Sequence, residues 1–190
     1  MPFNLSIIRE ATAADAPAIA YLHAESWRSA YRGILTDYYL DNRAHEERLA
    51  VWQERFAAAD AKQLMYVMVA EGGDSLVGFV CLFPEQDQTW GSFLDNLHVM
   101  PGLTGRGIGR QLLSEAGRYL MTRAPHCGVC LWVIEQNYGA RRFYERAGAS
   151  IVGSRSNQMP DGQSVVADRC QWCSPDLLLA NDGAAGLQTT

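Results

Sequence analysis

Three glycines at alternate positions stand in the run Thr104-Gly105-Arg106-Gly107-Ile108-Gly109-Arg110, just ahead of an amphipathic segment. Between a strand and a helix they leave backbone N–H groups at a helix N-terminus free of Cβ obstruction, which suits a phosphate or pyrophosphate. Arg106 and Arg110 can add charge. Two other glycine-rich phosphate loops fail. The dinucleotide fingerprint G-x-G-x-x-G meets Arg110 where its third glycine would fall. A P-loop needs Lys-Ser/Thr after its second glycine, whereas Gly107 is followed by Ile108-Gly109. The bland alternative is a tight strand-to-helix turn.

The cysteines offer a second chemistry. Cys127/Cys130 and Cys170/Cys173 have C-x-x-C spacing, and Cys81 is left over. That spacing fits a zinc ribbon or a redox pair. The surrounding residues read as strands, however, where positions three apart face opposite ways. The expectation is therefore buried or half-buried thiols and no metal. The aromatics Trp27, Tyr31, Tyr38, Tyr39 and Trp90 could wall a pocket and attract an ammonium group by cation–π contact.

Composition bounds the rest. A chain of 190 residues with 48% hydrophobic and 19% charged residues is the size of one domain with a full core. A net charge of −5 argues against nucleic acid as the main partner and favours a cationic substrate. No apolar run approaches the ~18–20 residues that span a bilayer, and no basic-then-apolar leader is visible, so the expectation is a cytoplasmic protein.

The elements that position these residues follow from periodicity. Leu5–Arg9 reads as a short strand. Thr12 and Asp15 approximate a capping box for a helix through about Arg28, with Ile19, His23, Trp27 and Tyr31 on one stripe. A turn and a short helix fit Tyr31–Leu40, and Ala44–Ala61 is an amphipathic helix. Leu64–Ala70 and Leu76–Phe83 flank Gly72-Gly73-Asp74 as a hairpin. A polar turn at Pro84–Gln88 leads to a strand over Thr89–Val99. Beyond the glycine turn come a helix closed by Pro125, a continuous apolar strand Val129–Ile134, and a helix with Ala140, Phe143, Tyr144 and Ala147 buried. Strands at Ser150–Arg155 and Val165–Trp172 close the domain, set at 1–173, and 174–190 reads as a tail or loosely docked arm.

Read together, two motifs resemble the Gcn5-related N-acetyltransferase (GNAT) superfamily. One is strand Leu94–Val99 with Pro101 and Gly105-Arg106-Gly107-Ile108-Gly109-Arg110; the other is Asn137-x₂-Ala140-x₂-Phe143-Tyr144-Glu145-x₂-Gly148. The resemblance implies an α/β (α+β) fold with a mixed, mostly antiparallel seven-stranded sheet, splayed central parallel strands and about four flanking helices. It also implies an acetyl-CoA cleft. The backbone of Leu97 and Val99, with His98 between them, would pair with the pantetheine arm. The amides from Gly105 through Arg106, Gly107, Ile108 and Gly109 to Arg110 would hold the pyrophosphate, with Thr104 beside them. Asn137 and Arg141 would reach the cofactor, and Tyr144 would lie near the sulfur. Thr104 stands where the family usually has Arg or Gln, and Ala149 where it has a bulky apolar residue.

Acyl transfer to an amine needs a neutral amine, a stabilised oxyanion and a protonated leaving thiolate. A phenol of pKa ~10 can protonate a thiolate whose conjugate acid lies near ~8.5, which makes Tyr144 the candidate acid. Asp95 is the first candidate for base or substrate anchor, with Glu135 and His98 behind it. Trp27, Tyr31 and Glu135 are the candidate acceptor-binding residues. The expected activity is N-acetyl transfer from acetyl-CoA to a small-molecule or peptide amine in a ternary complex. The alternatives are an acyl-CoA sensor without turnover and a nucleotide-binding protein. A homodimer, with the tail as an exchange arm, is compatible with the same sequence.

Overall fold

The computed structural model describes residues 7–62, 65–73 and 75–179, with side chains omitted over 59–62. The strand expected from Leu5, the hairpin strand from Leu64, Asp74 of the hairpin turn and the tail from residue 180 fall partly or wholly outside those residues. The strands are β1 (Ile7–Glu10), β2 (Tyr66–Gly72), β3 (Ser75–Asp87), β4 (Gly91–Val99), β5 (Val129–Ile134), β6 (Ser150–Gln158) and β7 (Ser164–Trp172). The helices are α1 (Ala16–Ala30), α2 (Asp37–Asn42), α3 (Ala44–Lys62), α4 (Ile108–Arg123) and α5 (Tyr138–Arg146). The strands form one seven-stranded sheet in the order β1-β2-β3-β4-β5-β7-β6. Every neighbouring pair is antiparallel except β4–β5.

Period-two alternation divides the core. Met68, Ala70, Val80, Leu82 and Leu94 pack against Ile108, Leu112, Leu113, Ala116 and Leu120 of α4 and Tyr144 of α5. Val67, Val69, Phe79 and Cys81 pack on the other face against Ile19 and Leu22 of α1 and Trp52 and Phe56 of α3. The start of α1 is fixed by Asp15, whose carboxylate accepts the Thr12 N–H at 2.8 Å and pairs with Arg9 at 2.8 Å.

Five α-helices stand among the described residues, against the four or so that the resemblance implied; the short helix expected within Tyr31–Leu40 is the fifth and forms at Asp37–Asn42, before the break at Arg43. Two details differ from the sequence reading. Pro84–Gln88 is not a turn: β3 runs on to Asp87, which pairs with Gly91. The reversal falls instead over residues 88–90, where Asp87 Oδ1 accepts the N–H groups of Thr89 and Trp90 at 2.8 and 3.0 Å. Beyond Trp172 the chain stays docked for several residues. Pro175–Leu178 forms a 3-10 turn, with Leu178 fully buried in the α4 core. A Cβ at Gly117 would lie 2.9 Å from the Pro175 carbonyl oxygen, so the glycine permits that close approach. The five cysteines are free thiols, three of them buried.

Candidate active site

The site begins where the two central parallel strands part. β4 and β5 pair only at Ser92↔Val129 and Phe93↔Cys130. Above that point they separate, and the β5-facing edge of β4 from Leu94 to Val99 has no strand beside it among the described residues. A bulge adds to the opening: Leu82 pairs with Leu94 but Cys81 pairs with Asn96, which leaves Asp95 as the extra residue. Leu94, Leu97 and Val99 all face α4. Asp95 and Asn96 both meet Arg55 of α3, whose Nη1 donates to Asp95 Oδ2 at 2.6 Å and to Asn96 Oδ1 at 3.0 Å. A cleft of about 790 Å³ runs through this gap, within the range of small-molecule sites.

One half of the cleft is a backbone cradle. Gly105 and Gly107 take positive φ of 78° and 85°, and Gly107 is the N-cap of α4 with no side-chain cap. The N–H groups of Ile108, Gly109 and Arg110 precede the first intrahelical hydrogen bond, from Gln111 N–H to the Gly107 carbonyl at 3.0 Å. A Cβ at Gly105 would meet nothing within 4 Å, so the space over the turn is open. Thr104, Gly105 and Gly109 line the cleft together with Asn137, Gly139, Ala140, Arg142, Phe143, Tyr144 and Arg146. These groups fit a pyrophosphate-bearing carrier: open amides at a helix end, an open strand edge, and Arg142 and Arg146, one helical turn apart and without a carboxylate partner among the described residues. Asn137 caps α5, its Oδ1 accepting the Ala140 N–H at 3.2 Å.

The other half is a wall of side chains from distant elements. Trp27 of α1 is nearly buried, with Tyr31, Tyr39 and His23 around it and the Arg48 guanidinium 4.6 Å from its ring centroid. His98 points away from α4, and its Nδ1 lies 2.8 Å from the Ser26 hydroxyl. Its ring centroid is 4.4 Å from that of His23. Burial and the nearby Arg48 charge push the His98 pKa down to about 4, and burial and His98 push His23 well below the ordinary value, so both rings are neutral. Trp132 lies under Arg155, 4.1 Å away. The β6–β7 tip roofs this half: Met159 packs beside Trp27 and Tyr39, and Asp161 Oδ2 accepts the Thr36 N–H at 2.7 Å.

The two halves meet at Tyr31, Asn137 and Tyr144. A side-chain hydrogen bond links Tyr31 to Asn137, while burial holds the Tyr31 pKa up at about 12. Burial, then Tyr31 and Cys170, pushes the Tyr144 phenol up as well, so it keeps its proton.

Most of the expected residues gather here, but not all. Asp95, Leu97, His98, Val99, Thr104, Gly105, Gly109, Asn137, Tyr144, Trp27 and Tyr31 line the cleft. Gly107 and Ile108 are not among the lining residues: Gly107 is the N-cap of α4, and the Ile108 side chain is in the core. Arg106 is exposed on the turn. Arg110 turns to the Leu179 carbonyl at 2.5 Å. Arg141 faces Asp168 at 3.2 Å and the Glu135 carbonyl at 3.3 Å, and its neighbour Arg142 lines the cleft instead. Glu135 is exposed and stands outside the cleft wall. The sequence reading missed Ser26, Arg48, Arg55, Trp132 and Arg155 as cleft residues, and it read His23 only as a helix stripe. An arginine on an amphipathic helix looks solvated, and the signal that separates Arg48 from a surface arginine is its position one turn before Trp52. The expectation of a cationic substrate also shifts: five arginines and one carboxylate line the cleft of a chain whose net charge is −5.

Comparison with known proteins agrees with this architecture. Residues 19–149 match the model of the acetyltransferase (GNAT) family. The chain is 31% identical over 153 residues to "Probable N-acetyltransferase Rv2775" of Mycobacterium tuberculosis, covering 80% of this chain and 83% of that protein. It is 30% identical to the peptidyl-lysine N-acetyltransferase YiaC of Escherichia coli, covering 77% and 84% of the two chains. The PaiA N-acetyltransferase of Thermoplasma acidophilum, solved with coenzyme A, superposes with a TM-score of 0.65 at 21% identity, over 85% of this chain and 96% of that one. YncA of Salmonella typhimurium, solved with acetyl-CoA, gives 0.62 at 19% identity over 98% and 99%. Among the described residues no helix is long and apolar enough to cross a membrane. The splayed sheet, the glycine cradle and these relatives place the chain in the GNAT family of N-acetyltransferases.

Proposed function

We propose that this chain transfers the acetyl group of acetyl-CoA to a primary amine by direct attack in a ternary complex, in the cytoplasm, within the domain spanning 1–173. The observation that carries this reading is the continuity of the cleft: one cavity joins the amides of the cradle to Asp95, His98 and Trp27, with Tyr144 at the junction. Acetyl-CoA supplies a thioester carbonyl and a thiolate leaving group. The β4 edge at Leu97 and Val99 offers its backbone to the pantetheine amides, and the amides of Gly107 to Arg110 receive the pyrophosphate. Arg142 and Arg146 stand beside that path with no carboxylate partner among the described residues.

The N–C bond forms as the C–S bond breaks, and the proton lost by nitrogen is balanced by one delivered to sulfur. Tyr144 holds that second proton, since its buried phenol stays protonated at neutral pH. Asp95 is the one carboxylate lining the cleft among the described residues, and its place there, held by Arg55, supports a role as anchor for the amine nitrogen, with solvent carrying the amine's proton away. His98 is a poor base here, because burial leaves it with a pKa of about 4. The test pairs calorimetry of acetyl-CoA with thiol release across a panel of primary amines. Binding plus release with one amine class is expected. Failure to bind acetyl-CoA, or binding without release on any amine, overturns the reading.

A further inference from the structure

Two buried donors in the acceptor half have no acceptor among the described residues. The Trp52 indole Nε1–H donates to His23 Nδ1 at 3.1 Å, and an indole nitrogen can only donate. His23 is neutral, so its proton sits on Nε2, and that buried N–H has no hydrogen-bond partner. Arg48 Nε is likewise buried without a partner, while the Arg48 side chain also hydrogen-bonds the Tyr39 phenol. The other buried orphans among the described residues lie outside the cleft wall. Arg141 Nε and Arg169 Nη1 lie 3.2 and 3.8 Å from carboxylates, and Arg110 is bonded through its other nitrogen to Leu179. Only His23 and Arg48 belong to the cleft wall, and both flank Trp27, at 5.0 and 4.6 Å from its ring.

Native proteins satisfy nearly all buried donors, so a pair left open on one wall calls for an acceptor, supplied by water in the empty cleft and by a ligand that displaces it. The charge on Arg48 has no carboxylate within ion-pair distance among the described residues. It also occupies the Trp27 face that an ammonium would need, and repels a cation there. Arg48 does not belong to the cradle, since α3 packs on the sheet face opposite α4. Asp95, tied to Arg55, remains as the one carboxylate of the cleft.

Resting on the acetyltransferase reading, we infer that the acceptor is a small primary amine that also carries a carboxylate, which Arg48 and the His23 Nε2–H hold while the amine nitrogen turns to Asp95. An arginine that offers Nε and an Nη side by side matches the two oxygens of a carboxylate.

The experiment compares matched triplets: each of a set of amino acids, its amide, and the amine left when the carboxyl group is removed. Thiol release from acetyl-CoA gives kcat/KM, and calorimetry on CoA-saturated protein gives affinity without turnover. The amino acid is expected to exceed its amide and its decarboxylated amine at least tenfold in both measurements. Arg48→Gln is expected to erase that ratio mainly through KM, while its CoA affinity, measured on the same sample, reports that the cleft is formed. Arg48→Lys should restore part of the ratio. Equal or better binding of the amides and decarboxylated amines by wild-type protein overturns the proposal, whether or not Arg48→Gln folds. So does a preference that survives in Arg48→Gln. A clear winner among aminoalkyl phosphates, run as a further arm, moves the anion from carboxylate to phosphate and overturns the carboxylate assignment. Failure of wild-type protein to bind acetyl-CoA sinks the transferase reading instead, and calorimetry of the same triplets on the unloaded protein then reports on the carboxylate.

Discussion

The two halves of the cleft are built by different means. The cradle draws on residues 94–110 and 137–146, and its working parts are backbone amides at a helix end and an unpaired strand edge. The acceptor half draws on α1, α3, β4, β5 and the β6–β7 tip, and its working parts are the side chains of His23, Trp27, Arg48, Arg55, Asp95 and Arg155. A backbone site needs little from side chains beyond their absence. A side-chain site needs distant elements to converge. That predicts a cradle sensitive to added Cβ atoms and an acceptor half sensitive to charge.

The largest effect is expected in the cradle. Gly107→Val places a branched side chain on a residue at φ 85° that caps α4, and should weaken CoA binding at least a hundredfold by calorimetry. Backbone strain alone is controlled by Gly73→Val, at φ 66° in the β2–β3 turn away from the cleft, which should lose stability and keep CoA affinity. Equal CoA affinity in the two variants breaks the claim that the cradle works through its amides.

At the junction, Tyr144→Phe removes one oxygen from a buried ring that also packs on Trp172. Turnover should fall about 10- to 100-fold, with CoA affinity within twofold, as for loss of a general acid. Unchanged kcat takes Tyr144 out of the chemistry and leaves it a core residue. In the acceptor half, Asp95→Asn leaves Arg55 unmatched and should raise the amine KM about 5- to 20-fold with CoA affinity unchanged. A fall in CoA affinity instead would show that the bulge serves the cofactor edge of β4.

How much of this was legible in the sequence follows the same division. The cradle is a local pattern: three glycines and a helix stripe after them are readable from spacing, and the family resemblance adds Asn137. The strands that bracket it came out close to their observed limits, because β5 is apolar throughout and α4 has a clean 3.6-residue stripe. Asp95 was placed on the right strand, but the bulge that turns it onto the α3 side with Asn96 is a register event, and nothing at Asp95 itself announces it. Arg48 and Arg55 sit among Glu46, Glu47 and Glu54 and read as a solvated face, since their burial depends on α1 packing alongside. Arg141 and Arg142 differ by one position on a helix, a rotation of about 100°, and the resemblance pointed to Arg141 where Arg142 lines the cleft.

The smallest expected effect tests whether titratable groups reside only in the acceptor half. His98 has a folded pKa of about 4 against 6.5 in a free chain, with burial as the main cause and Arg48 second. Above pH 6.5 both folded and unfolded states carry the neutral ring, and this group makes no difference to stability. As pH falls from 6.5 towards 4 the unfolded chain takes a proton that the folded chain refuses, so stability drops across that window and levels off below it. His23, lowered in the same direction, adds to the loss. Asp15, held near 2 by Arg9 against an ordinary 3.8, acts only below about pH 4 and does not overlap. With the partial exposure of His98 discounted, the loss is about 1–2 kcal/mol, or roughly 2–5 °C in Tm. Melting curves at pH 8, 6.5, 5.5 and 4.5 should show that slope in wild-type protein and a shallower one in His98→Gln. Equal slopes in the two proteins would mean that His98 is solvated in solution and that the wall between α1 and β4 is more open than the packing of Ser26, His23 and His98 implies. The proposed cradle offers amides that do not titrate, so any fall in CoA affinity between pH 8 and 5.5 that His98→Gln abolishes would show that the two halves are coupled.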